Sequence, residues 1–265
     1  MKRIGFIGCG NMASAMIGGL IRTGFAPEHI NVFDIDAAKA GAFGERGANV
    51  CADEIDAAKR SDVVVLAVKP QVMKPLLEKL AKANEAAVYV SIAAGVSTES
   101  VKRFLGYDAK VVRVMPNTSL LMGLGATAMS HSAPVSDEEF EFVKKLFTSG
   151  GIVEEVAEDM MNAVISVNGS SPAYVYYLAK AVVDGAEKQG MDRASALRLF
   201  AKVLEGGAKM LTDSGLSPEE LIDRVCSKGG TTIEAINVFE ERGVEDAVVA
   251  GMEACTKRTS ELDLK

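Results

Sequence analysis

Histidine is scarce in this chain, and its cysteines follow no pattern. The four cysteines, Cys9, Cys51, Cys226 and Cys255, lie far apart with no C-x-x-C spacing, and the histidines are His29 and His131 alone. A structural zinc needs four closely spaced N or S ligands and a disulfide framework needs a denser cysteine pattern, so neither is expected and no metal site is assigned. A Ser-His-Asp or Cys-His nucleophile would have to draw on one of two histidines in loop or strand-end contexts. Chemistry without a histidine base is therefore expected. Basic clusters are also missing: no Lys/Arg run exceeds a pair and the net charge is -7, which excludes a surface built for nucleic acid. Long apolar runs are absent too. Lys2-Arg3 ahead of an apolar stretch and Ala13-Ser14-Ala15 imitate a signal peptide, but Asn11 and glycines 5, 8, 10, 18 and 19 interrupt it. A soluble cytoplasmic protein with reduced thiols and no membrane partner is the expectation.

What is present is a chain of 265 residues, 48% hydrophobic, enough for one large domain or two ordinary ones. From Lys2 to about Val156, β-rich runs at 3–7, 31–34, 62–68, 87–92, 110–114, 126–129 and 151–155 alternate with segments of helical period. The fold class this predicts is α/β: a Rossmann-type, doubly wound, mostly parallel sheet with helices on both faces. Pro70 and Pro75 are read as bracketing the turn into the helix after the third run. Beyond about Glu158 the β-rich runs stop. Helices are expected over 160–189, interrupted by Pro172, and over 192–213, 217–225, 231–242 and 244–262. The domains are accordingly 1–157, binding a dinucleotide, and 158–265, an all-α domain for substrate binding and oligomerisation. The stripe Val244, Ala247, Val248, Gly251, Met252 and Cys255 fits either an internal core or a second subunit.

Gly8-Cys9-Gly10-Asn11-Met12-Ala13 follows an apolar strand and opens a helix as G-x-G-x-x-A. In that context Gly8 makes the tight turn, Gly10 lets backbone approach a pyrophosphate, and small Ala13 permits close helix–strand packing; Asn11 and Met12 open the helix. Asp34 ends the second strand about 20 residues further on, where a carboxylate takes both ribose hydroxyls and repels a 2′-phosphate. That favours NADH. Two alternatives stand beside it: Asp34 as the cap of a helix starting near Asp36, and Lys39 reaching a phosphate after all. Two later strand ends, Ala67-Val68-Lys69-Pro70 and Ser91-Ile92-Ala93-Ala94-Gly95, should complete the nucleotide crevice.

At Ser227-Lys228-Gly229-Gly230 one amphipathic helix breaks, and another begins at Thr231-Thr232. Adjacent glycines permit an unusual turn, and the unpaired N–H groups of the new helix suit a small carboxylate. The plainer alternative is that Thr231 or Thr232 merely caps the helix. The surrounding pattern, Pro218, Leu221, Val225, Cys226, Ser227, Gly229, Gly230, Thr232, Ala235, Ile236, Phe239 and Glu240, resembles the signature of the pyrroline-5-carboxylate reductases. The resemblance continues through Ala67–Pro70, Arg113-Val114-Met115-Pro116-Asn117-Thr118, Val167–Tyr174 and Glu253–Leu262. It departs from the family pattern at Asp34, at Ser119 in place of proline and at Ser171 in place of glycine.

The resemblance implies that 1-pyrroline-5-carboxylate is reduced to L-proline with hydride from NADPH or NADH. It implies contacts from Ala67, Lys69, Pro70, Ala93, Gly95 and Asn117 to the cofactor, and a homo-oligomer interleaved through C-terminal helices. Backbone N–H groups at Gly230 and Thr231 with the Ser227 hydroxyl would take the substrate carboxylate. Thr232 would serve the ring nitrogen, as proton donor or as orienting group, with the reduced ring brought to this turn from the same or a neighbouring protomer. Tyr174, Tyr176 and Tyr177 are expected to supply buried area. Competing readings are a β-hydroxyacid dehydrogenase or another imine reductase, for which Lys180 lies in the right helix without the surrounding motif, and a non-catalytic NAD(H) sensor.

Overall fold

Residues alternate their side chains across a strand, so a strand apolar at every position must be covered on both faces. Val63-Val64-Val65-Leu66 and Val88-Tyr89-Val90-Ser91 are buried throughout. The computed structural model, which describes residues 2–264, places them in the middle of a sheet. Its strands are β1 (Ile4–Ile7), β2 (Ile30–Phe33), β3 (Asn49–Val50), β4 (Val63–Leu66), β5 (Val88–Ser91), β6 (Lys110–Met115), β7 (Gly125–His131) and β8 (Gly151–Glu155). They are ordered β3-β2-β1-β4-β5-β6-β7-β8. Every neighbouring pair is parallel except β6 with β7. The switch point lies between β1 and β4. Two-residue β3 is too short to leave a period in the sequence and was not expected.

Between the strands run α1 (Asn11–Arg22), α2 (Ala37–Gly44), α3 (Glu54–Lys59), α4 (Pro70–Leu80), α5 (Thr98–Leu105) and α6 (Asp137–Thr148). On one face Ala13, Met16, Ile17 and Leu20 of α1, Phe43 of α2, and Phe140, Val143 and Phe147 of α6 pack on Ile4, Phe6, Val32, Val65, Val90 and Val112. On the other, Ala57 and Ala58 of α3, Met73, Leu77 and Leu80 of α4, and Val101 and Leu105 of α5 pack on Ile7, Val64, Leu66, Tyr89 and Val111. Pro75 is inside α4 rather than in the turn before it. The turn expectation fails because Pro70, at the first helical position, already satisfies the start of that helix.

The later helices are α7 (Met161–Val164), α8 (Ser171–Lys188), α9 (Arg193–Asp213), α10 (Pro218–Val225), α11 (Thr231–Glu241) and α12 (Val244–Ser260). The break in the 160–189 run comes as a π-helical segment, Ile165–Gly169, ahead of Pro172, which stands in the first turn of α8. Proline is well placed there, since that turn has no N–H acceptor to lose. By packing, the chain divides into a unit of residues 1–170 with 253–265, and a second of residues 171–252. The change of sequence character at 157/158 is thus not where the packing divides. Among the described residues, the second unit buries only Val183 and Ala196 as apolar side chains. Tyr176, Tyr177, Val203, Leu199 and Val225 are each more than 60% exposed, so Tyr176 and Tyr177 do not supply the expected buried area within one chain, whereas Tyr174 is 37% exposed.

Candidate functional site

The β1–α1 turn is built on two close backbone approaches at Gly8. Gly8 has φ +97°, a left-handed conformation, and its N–H donates to the Phe33 carbonyl at 2.8 Å. A Cβ there would lie 2.5 Å from the Ala67 carbonyl oxygen, so only glycine lets β1 turn against the end of β4. Gly10 is different: it precedes α1, no side chain caps it, and a Cβ would meet nothing within 4 Å. Its space is open and the first N–H groups of α1 are uncapped, with Gly10 and Asn11 exposed, Met12 half-buried and Ala13 buried. An anionic group fits such a start, where unpaired N–H donors meet the positive end of the helix dipole.

Asp34 follows β2 and reaches into this turn. One carboxylate oxygen accepts from the Cys9 N–H at 2.7 Å and the other from the Asp36 N–H at 2.8 Å. Asp34 therefore does not cap α2; Asp36 does, accepting from the Ala38 N–H at 3.1 Å. Lys39 pairs with Asp36 at 3.5 Å. Burial, and then the Asp34 charge, push the Cys9 thiol up to about 12, so this loop cysteine stays protonated.

The other strand ends divide into open and covered positions. Ala67 and Pro70 are half-buried and Lys69 exposed. Ala93 and Gly95 are buried, and the glycine requirement at Gly95 (φ +79°) comes from this chain's own C-terminal segment: a Cβ would stand 2.5 Å from the Thr259 carbonyl oxygen. Asn117 uses its Oδ1 to accept from the Ala126 N–H at 3.2 Å, and does not cap the turn that follows.

Two residues that sequence reasoning passed over hold this region. Asn168 donates to the Met115 carbonyl at 2.7 Å and the Ala126 carbonyl at 3.1 Å, tying β6 to β7 beside Asn117. Glu158, read as the start of the helical half, accepts from buried Arg113 at 3.0 Å, from the Thr98 N–H at 3.1 Å and from Ser130. The signal was an arginine set among valines in the interior of a strand, since a buried guanidinium requires a carboxylate.

In the second unit, α10 ends at Val225 and the chain turns through Gly229, φ +73°. The Gly230 N–H donates to the Ser227 carbonyl at 2.9 Å, and a Cβ on Gly230 would meet Ser227 Oγ at 2.5 Å. This N–H is thus already engaged, and Gly230 shapes the turn rather than offering a donor. Nor does Thr231 or Thr232 cap α11: the cap position is Gly230, with no side-chain bond. The free donors are the first N–H groups of α11, beginning at Thr231, together with the half-buried Thr232 hydroxyl, which has no hydrogen-bond partner among the described residues. Lys180 is 67% exposed and pairs with Asp184 at 2.6 Å. Among the described residues no group of His, Cys, Asp and Glu could hold a metal, and no helix is long and apolar enough to cross a membrane.

A doubly wound sheet with an uncapped glycine turn at its first strand end and a helical unit after it is the architecture of a dinucleotide-binding protein. Comparison with known proteins narrows this. Residues 158–262 match the family model described as pyrroline-5-carboxylate reductase dimerisation, and residues 3–95 one described as NADP oxidoreductase coenzyme F420-dependent. The pyrroline-5-carboxylate reductase of Escherichia coli K12 is 41% identical over 98% of both chains, and that of Methanosarcina acetivorans 35% identical over 100% of this chain and 99% of its own. Among solved structures, the Coxiella burnetii pyrroline-5-carboxylate reductase superposes with a TM-score of 0.91 at 32% identity, covering 100% of this chain and 99% of its own. The Plasmodium falciparum pyrroline carboxylate reductase, solved with NADP bound, gives 0.90 at 25% identity over 98% of each chain. This chain belongs to the pyrroline-5-carboxylate reductase family, the NAD(P)H-dependent oxidoreductases that form L-proline from 1-pyrroline-5-carboxylate in proline biosynthesis.

Proposed function

We propose that the chain performs this reduction with the start of α11 as its substrate site and the β1–α1 turn as its dinucleotide site. The uncapped α11 terminus carries the reading: free N–H donors, a turn that requires glycine at Gly229, and one unpartnered hydroxyl stand together. The N–H groups from Thr231 onward, with the Ser227 hydroxyl, take the substrate carboxylate at the positive end of the helix dipole. Thr232 Oγ1 then lies next to the ring nitrogen. A threonine hydroxyl does not titrate near neutral pH, so Thr232 orients an imine that enters already protonated. When bound, the reduced dinucleotide supplies the hydride. The ring carbon gains the hydride, the C=N π pair passes to nitrogen, and the positive charge of the iminium is discharged to give the amine. On the nucleotide side Gly8 and Gly10 admit the pyrophosphate to the N–H groups of Asn11 and Met12. Ala67, Lys69, Pro70 and the Asn117 amide N–H₂ border the same strand ends, whereas Ala93 and Gly95 act through packing.

Absorbance of NADH and NADPH, followed separately, should fall on addition of 1-pyrroline-5-carboxylate, with L-proline formed in equal amount. Consumption only with a ketone, or oxidation only of a 2-hydroxy acid, would transfer the chain to the dehydrogenase reading. Tight dinucleotide binding without turnover of any imine would make it a sensor.

The helical unit, with apolar side chains along α8, α9, α11 and α12 left exposed, assembles with a second copy of this chain through those helices, in the cytoplasm. Sedimentation at micromolar concentration should give at least twice the 28.0 kDa chain mass. A 28.0 kDa species alone would sink the assembly.

A further inference from the structure

We infer that Asp34 selects an unphosphorylated adenosine ribose, so that this chain takes NADH in preference to NADPH; the inference rests on the β1–α1 turn being the dinucleotide site. An ionised carboxylate offers about four acceptor positions. Two are filled here, by the Cys9 N–H at 2.7 Å and the Asp36 N–H at 2.8 Å, one on each oxygen. The remaining capacity matches the two hydroxyls of a ribose. These two bonds also fix the carboxylate. Rotating it aside for a phosphate would strip the acceptor from Cys9, a residue of the phosphate turn itself, and an unpaired buried donor is costly.

The surrounding charge points the same way. Asp36 stands two residues on, and Lys39, the cation expected to reach a 2′-phosphate, is paired with it at 3.5 Å. The segment from Asp34 to Lys39 therefore presents two carboxylates against one ammonium. A 2′-phosphate would bring like charge against a carboxylate that cannot withdraw. NADP in the Plasmodium falciparum relative does not carry over to a ribose site of this charge.

Binding of nucleotide fragments tests this independently of turnover. By isothermal titration calorimetry, ADP-ribose should bind the full-length protein at least about tenfold tighter than 2′-phospho-ADP-ribose, and Asp34→Ser should narrow that ratio about tenfold or invert it. Asp34→Asn keeps the side-chain shape and an acceptor for one backbone N–H while removing the charge. It should narrow the ratio as well, even if Asp34→Ser disturbs the loop. Equal or tighter wild-type binding of the phosphorylated fragment, or an unchanged ratio in both variants, would overturn the role of Asp34. Binding of neither fragment to the wild type would overturn the dinucleotide site itself.

Discussion

Gly8→Ala is expected to weaken dinucleotide binding about 100-fold or more, close to 3 kcal/mol. The left-handed φ of +97° costs an L-residue roughly 1–2 kcal/mol. The larger effect is steric. The new Cβ would sit 2.5 Å from the Ala67 carbonyl oxygen and 2.9 Å from its carbon, both backbone atoms. Ala67 cannot retreat freely, because its N–H donates to the Ile7 carbonyl at 2.9 Å, and the Gly8 N–H is itself tied to Phe33. The turn must deform, and with it the α1 N–H groups proposed to bind the pyrophosphate. Gly10→Ala is the informative partner: its Cβ meets no protein atom within 4 Å, so the melting temperature should hold while nucleotide affinity falls. Titration with NADH, alongside thermal unfolding of each variant, reads both effects. Wild-type affinity in both variants would remove this turn from the site.

Thr232→Ala should lower kcat/KM for 1-pyrroline-5-carboxylate by about 100-fold, the usual scale for deleting one preorganised hydrogen-bonding group at a reacting atom. Stability should change little. The hydroxyl has no partner to lose, Gly230 rather than Thr232 occupies the cap position, and alanine is the better helix former. Thr232→Ser, which restores a hydroxyl on the same Cβ, should recover most of the loss. The division between constants separates the roles: a fall in kcat marks an interaction made in the transition state, whereas a raised KM at constant kcat marks uniform binding. Unchanged turnover in Thr232→Ala would exclude the residue from the mechanism.

Much of this was legible in the sequence because its signals are local. Strand alternation, the conformational freedom of glycines 8, 229 and 230, and the helix breaks at 213–215 and 227–230 are each written within a few residues. They determined a mostly parallel sheet, a glycine turn at the end of its first strand and an α-helical second half. Other features depend on residues far apart in the chain and leave no local period. The sequence left Asp34 open between ribose ligand and helix cap; its reach back to the Cys9 N–H and the presence of Asp36 at the cap exclude the cap reading. Gly95 looked like part of the nucleotide crevice, and only the fold places Thr259 and Leu262 against it. Glu158 looked like the start of the helical half, and only the buried end of Arg113 shows why a carboxylate is needed there. The sequence by itself determined which segments are strands, helices and turns, since backbone preference and side-chain periodicity act within a few residues. Tertiary structure alone decided which polar groups are already bonded and which stay free for a ligand, because hydrogen-bond capacity is settled by neighbours in space.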